Sequence, residues 1–270
     1  MNLLHKLLLI LFLIPAAALN DAYSQKLSSP IDPGELPQPV EYGLILGIGD
    51  NFQTGSFLVD CPDCVFEDGA AFGYSVGASY ENYLFHPLRY GIMGLYQQKG
   101  IEASYVEREL VPIRALETDN TYNIPVNFRH EAATNIAYLS AIPYIDLTIW
   151  NTLFFRLGFS MSYVLNANLE HSKILTDRYA SVGNIDSVRI ELESGGYQQM
   201  VQDSHFDDVN KLQFSLMPMA GFQFSPADHV LISPLFAYTL PFTNLSENGE
   251  DFKIHSWRIM IEVKYVFMSD

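Results

Sequence analysis

Three places in the chain set a histidine beside a serine: His171-Ser172, Ser204-His205 and His255-Ser256. That pairing is the minimum for nucleophilic catalysis. Adjacent side chains leave a strand on opposite faces, however, so sequence neighbours there do not meet. No Gly-x-Ser-x-Gly elbow is present either. His255-Ser256 alone falls near the outer rim of the architecture inferred below, where a lipid-modifying pair would have to sit, and polar rim residues are the simpler reading. The two cysteines frame Cys61-Pro62-Asp63-Cys64, which in an exported chain reads first as a small loop-closing disulfide. Zinc would need two more ligands, and no other cysteine or histidine lies nearby in sequence before His86. A thioredoxin-type site should open a helix, but this stretch is acidic and shows no helical pattern. We expect a Cys61–Cys64 disulfide, no catalytic site, no metal and no cofactor. The third chemical signal is ionic: Glu41, Glu81, Asp146, Arg156, Arg258, Glu262 and Lys264, four acids and three bases, stand between apolar neighbours. Paired, such charges satisfy one another where water is excluded.

The elements that would position these charges are strands. From Trp257 to Phe267 the odd positions are Trp, Ile, Ile, Val, Tyr and Phe, while the even ones include Arg258, Glu262 and Lys264. One face is apolar for about 11 residues with aromatic ends, the length of a strand that crosses a bilayer. The same alternation recurs over Val40–Ile48, Phe72–Glu81, from Arg89 through Tyr96 towards Tyr105, over Asn135–Trp150, Phe155–Asn166, Gln213–Phe224 and His229–Phe242, making eight strands in all. Eight is even, as a closed single-chain barrel requires. Connections after strands 2, 4 and 6 are tight, around His86-Pro87, Asn151-Thr152 and Pro226-Ala227. Those after strands 1, 3 and 5 are long, roughly 20, 30 and 45 residues, and the one after strand 7 is about 10. Short turns at one end and long loops at the other describe an outer-membrane barrel with its turns in the periplasm. A soluble lipocalin-like barrel would instead bury the apolar face and expose the charges. Tyr42, Tyr83, Phe85, Tyr90, Trp150, Phe154, Phe222, Phe224, Tyr265 and Phe267 cluster near the periplasmic rim as an interfacial girdle. Pro143, Pro218 and Pro234 fall mid-strand, where a closed barrel has no edge to hide a missing donor. Bulges or local wetting are expected there, with Pro218 and Pro234 about equidistant from a turn at Ala227 and opposite one another.

Composition agrees. The chain is 49% hydrophobic and 13% aromatic, yet no segment after the N-terminus reaches the apolar length of a membrane helix. A net charge of −16 argues against nucleic acid as a partner. Acids crowd the inferred outer loops, as a solvated face does; a divalent cation held there is a weaker alternative. Lys6 followed by the apolar run Leu7–Ala18 reads as a signal peptide, cleaved after Ala18 or, preferably, after Ser24. Residues 25–39, with four prolines, suit a flexible periplasmic lead-in to a barrel over 40–270.

The Ala-Tyr-Ser signal end before Gln25, the Tyr138–Pro143 stretch, Gln98-Lys99-Gly100 and the Trp257–Phe267 strand together resemble the PorT-like group of outer-membrane β-barrel proteins, eight-stranded barrels of the OmpA/OprF type. The resemblance covers residues 40–267 and departs from the common barrel ending, since Met268-Ser269-Asp270 follow the terminal aromatic. It implies a Gram-negative outer membrane and, by the namesake, a role accessory to secretion. The expected fold is all-β, an eight-stranded antiparallel transmembrane barrel with a packed polar interior. Its expected partners are outer-membrane lipid, lipopolysaccharide and other envelope proteins. A structural or interaction role is expected, with a lipid-modifying enzyme and a small pore as the alternatives.

Overall fold

The computed structural model describes residues 39–59, 64–85, 87–116, 119–149, 152–182, 185–206, 208–247 and 249–267. The expected signal peptide and most of the lead-in, together with Cys61, Trp150 and the last three residues, lie outside them. Eight long strands form one closed antiparallel ring: β1 Val40–Leu58, β2 Ala70–Phe85, β3 Leu88–Ala115, β4 Asn120–Ile149, β5 Leu153–Leu175, β6 Leu212–Phe222, β7 Val230–Pro241 and β8 Gly249–Phe267. Each pairs with its neighbour in sequence, and β8 closes on β1 from Val40↔Phe267 to Phe57↔Gly249. Closure leaves no free sheet edge within the ring, the condition for a β-structure in lipid.

Register sets one side chain row outside and the next inside. Leu46 lies between Val76 and Ile261, and all three point outward. One step along, Ile45 lies between Gly77 and Glu262 and is buried. Leu157, Phe159, Ile259 and Ile261 are exposed on the outer wall, whereas Arg156 and Glu262 are buried within. A soluble barrel requires the reverse. The outward apolar rows stop at Ile48, Phe72, Tyr96, Leu139 and Leu165, and the next outward residues on four of those strands are Asp50, Gln98, Asn135 and Asn166. That leaves a wall of bilayer height.

Several expectations need correction. The stretch after strand 3 is not a 30-residue loop: β3 runs 28 residues and β4 runs 30, paired without a break to Ala115↔Asn120. From Asn135 to Asn120 this hairpin continues about 50 Å along the strand beyond the apolar wall. The long β5–β6 connection likewise holds strands Tyr179–Val182, Ile185–Leu192 and Gln198–His205; the second pairs with β3 and the third with β5. Strict alternation from Arg156 would turn Asn166 inward, but it is exposed, because the register slips around Leu165 and reverses the phase of β5. Phe154 is buried and Tyr83 half-buried, so neither joins the girdle; each precedes or follows an outward residue and alternation turns it in.

The prolines produce gaps rather than bulges. On the β4–β5 seam the pairs at Ile142 and Pro143 are missing, yet Ala141↔Met161 and Tyr144↔Gly158 keep one register. The β6–β7 seam skips Pro218 and Pro234 in the same way. Pro218 and Pro234 are not opposite one another, because the turn lies at Asp228-His229, with His229 at φ 62°, and shifts the pairing. Each proline therefore loses pairing on one seam and keeps it on the other, Pro218 with Leu157 and Pro234 with Ile261.

Candidate functional site

The inward rows stack into layers. Nearest the tight turns lie Glu41, Glu81, Arg89, Asp146, Arg156, Glu262 and Lys264, all buried. Arg156, on β5, reaches Glu81 at 2.9 Å and Asp146 and Glu262 at 3.1 Å each. Lys264 reaches Glu41 at 2.9 Å and Glu81 at 3.1 Å. Arg89 joins Glu81 at 2.7 Å, Asp146 at 3.3 Å and Glu41 at 3.4 Å, and also contacts Thr148. Ser79 donates to Glu262 at 2.5 Å and Tyr144 to Glu81 at 2.9 Å. Tyr144 also lies 4.2 Å beneath the Arg156 guanidinium. Gly91 makes room for this ring, since a Cβ there would come within 2.5 Å of it. Every carboxylate in the layer touches a cation, which is what charges in a lipid-encircled lumen need.

The structure brings six of the seven expected charges together and sets Arg258 apart. Arg258 lies further up the lumen, donating to Asn51 at 2.5 Å and to the Asp50 carbonyl at 3.1 Å. It shares that level with Lys99, which is stacked over Tyr138 at 5.2 Å. Arg89 is the member that sequence reasoning missed, although its phase against the outward Tyr90 and Ile92 places it inside. An apolar layer of Ile45, Met93, Leu95, Ile142, Met217 and Met260 separates the ionic layer from Arg258 and Lys99. Between Lys99, Tyr138, Ser162, Ser215 and Thr239 lies a cavity of about 20 Å³, room for a single water. Above it a second apolar cluster, including Phe57, Phe66, Ile101, Ile136, Phe206 and Phe252, fills the mouth.

Where β3–β5 leave the apolar wall, a further polar group is buried. His130 Nε2 stands 2.8 Å from Glu109 Oε1, and Lys173 donates to both oxygens of Glu109 at 2.8 and 2.9 Å. Burial raises the Glu109 carboxyl, but hydrogen bonds from Lys173 and His130 outweigh it and hold the group below its ordinary range. The other ring nitrogen of His130, Nδ1, faces His171 Nε2 at 3.2 Å and Cys64 Sγ at 3.9 Å. Tyr105 stacks on His130 at 4.6 Å and Phe66 meets His171 edge-on at 5.4 Å. Burial, with the His130 and Lys173 charges, pushes His171 down to about 4, so it is neutral at physiological pH. Its Nδ1 has no hydrogen-bond partner. Cys64 is disulfide-bonded, and its expected partner Cys61 lies outside the described residues. Sequence distance hid this cluster, because β4 and β5 carry His130 and His171 to a cysteine 66 residues from His130.

The histidine–serine neighbours do not form pairs. Ser256 is buried, while His255 lies half-buried against Phe52, its ring stacked at 5.4 Å. His205 contacts Asn168 at 3.1 Å, and the Ser204 hydroxyl bonds the His205 carbonyl.

With an apolar outer wall of bilayer height and an ionic lumen, the localisation follows. The chain is an integral outer-membrane β-barrel protein. No protein-family model matches the sequence, and no curated protein does. Among solved structures the barrel is similar to Neisserial surface protein A, with 11% identity, covering 84% of this chain and 97% of that one at a TM-score of 0.35. It is also similar to Ail, the attachment invasion locus protein of Yersinia pestis, with 14% identity, 84% and 99% coverage and a TM-score of 0.34. The outer membrane protease OmpT of Escherichia coli overlaps with 11% identity, 90% and 99% coverage and a TM-score of 0.30. These superpositions are loose, and the placement in a membrane rests on the chain's own wall.

Proposed function

We propose that this protein is a non-conducting, non-enzymatic anchor: a filled barrel that fixes an outward-projecting β-sheet at the cell surface for interaction with envelope components. The filled lumen carries the reading. Among the described residues, ion pairs at the periplasmic end and apolar layers above them fill the lumen. A narrow eight-stranded barrel is filled by its own side chains in this manner. The long β3–β4 hairpin, too tall to be needed for crossing lipid, supports an interaction role. Lipopolysaccharide and neighbouring envelope proteins are the partners that this position offers. The resemblance to PorT-like barrels adds a role accessory to secretion or envelope integrity, and the basic, apolar N-terminus adds export by a cleaved signal. The rim pair that a lipid-modifying enzyme would use is divided between the two faces of β8, which favours the non-enzymatic reading.

Planar bilayer recording tests the proposal. The folded wild type is expected to show no steady conductance steps, and reproducible steps would overturn it. Cross-linking on intact cells followed by co-purification would then name the partner of the projecting sheet.

A further inference from the structure

The buried cluster at the base of the projecting sheet sets two ring nitrogens and a sulfur at the spacing of metal ligands. Glu109 lies 2.8 Å from His130 Nε2, and His130 Nδ1 faces His171 Nε2 at 3.2 Å. His171 Nδ1 has no hydrogen-bond partner. The Cys64 sulfur stands 3.9 Å from His130 Nδ1. Two nitrogens bound to one tetrahedral zinc at about 2.0–2.1 Å stand about 3.3 Å apart. A carboxylate behind a ligating histidine, itself held in place, is the usual outer support of such a site. Glu109, clamped by Lys173, occupies that position.

We infer that Cys64 Sγ, His130 Nδ1 and His171 Nε2 form a binding site for a divalent cation of the zinc class, available when the Cys64 disulfide is reduced. These ligand atoms all lie within 4.8 Å of one another and their residues are buried. Two nitrogens and a thiolate suit a borderline-soft ion and disfavour calcium or magnesium, which take oxygen. Opening the site takes two electrons and two protons to convert the disulfide to two thiols, delivered by an external dithiol that itself closes to a disulfide. The Cys64 thiol then loses its proton to solvent as the metal binds. The three ligands leave one tetrahedral position for water or another donor.

Isothermal titration of the full-length refolded barrel, purified without a histidine tag, tests this with Zn²⁺ as probe. Co²⁺ serves as the spectroscopic probe. Wild type treated with a phosphine reductant is expected to bind one Zn²⁺ at least 100-fold more tightly than the oxidised protein. With Co²⁺ it should give a thiolate charge-transfer band and the intense visible bands of tetrahedral coordination. Cys61→Ala frees Cys64 without reductant and should behave like the reduced wild type. In that background Cys64→Ser should abolish the charge-transfer band. His171→Asn should weaken binding at least tenfold, and Glu109→Gln by roughly 10- to 100-fold. Equal Zn²⁺ binding by oxidised and reduced wild type would overturn the site, as would a Cys61→Ala/Cys64→Ser protein that binds like Cys61→Ala. Because the reduced wild type carries no substitution, the outcome stands whether or not any variant folds.

Discussion

At the level of single residues, the buried arginines Arg156 and Arg258 separate a network from a local contact. Arg156 answers three carboxylates, Glu81, Asp146 and Glu262, with both side chains of each pair wholly buried. Removing it leaves buried negative charge uncompensated, which costs about 3–5 kcal/mol. Arg258 bonds only an amide oxygen and backbone carbonyls among the described contacts. Its loss should cost about 1–3 kcal/mol. Arg156→Gln should therefore lower the urea midpoint of the refolded barrel well below that of Arg258→Gln, and equal shifts would show that the ionic layer does not act as a unit. Most of this layer was legible in the sequence, because charge placed between apolar neighbours marks an inward position. Arg89 escaped because it opens its strand beside the Pro87 turn, although Leu88 and Tyr90 flank it as the same rule requires. The histidine cluster escaped for a different reason. Nothing local to Cys64, His130 or His171 signals the others, and only barrel closure brings them together.

Elements were legible where lipid imposes one greasy face, and illegible above it. Within the wall, all eight strands carry an outward apolar row. Beyond Asn135 both faces of the β3–β4 hairpin meet water or a thin satellite core, so polar residues occupy both phases. Pro112 and Pro125 there sharpen the impression of loop. What holds this part as sheet is a separate cluster of Ile113, Val126, Phe128, Leu175, Ile190 and Leu192, joining β3, β4, β5 and the Ile185–Leu192 strand. Phe128→Ala removes a buried ring from it, a loss of about 3–5 kcal/mol. Because that cluster is distinct from those filling the lumen, the damage should stay local. Amide exchange should accelerate across residues 106–128 while β1 and β8 within the wall remain protected. Uniform loss of protection would show that hairpin and barrel melt together.

For the whole molecule, the decisive property is which side of the wall faces a nonpolar solvent. Leu46 sits mid-strand on β1 between outward Val76 and Ile261 and is 66% exposed. In a water-soluble barrel a charge at so exposed a position is harmless or improves solubility. In a bilayer the same charge lies near the midplane, where Arg on a barrel's outer face costs about 2–4 kcal/mol. Leu46→Arg should thus lower the free energy of unfolding in lipid vesicles by that amount. The effect should shrink for Leu84→Arg, an outward position in the last turn of β2 at the rim, because the cost falls towards the interface. Both changes place one arginine on the same outer wall, so differences in charge or chain entropy do not confound the comparison. A depth-dependent penalty is a property that only a membrane-spanning wall has. Equal, negligible effects at the two positions would mean that the exposed leucines do not meet lipid, and the inside-out arrangement of this barrel would fail with them.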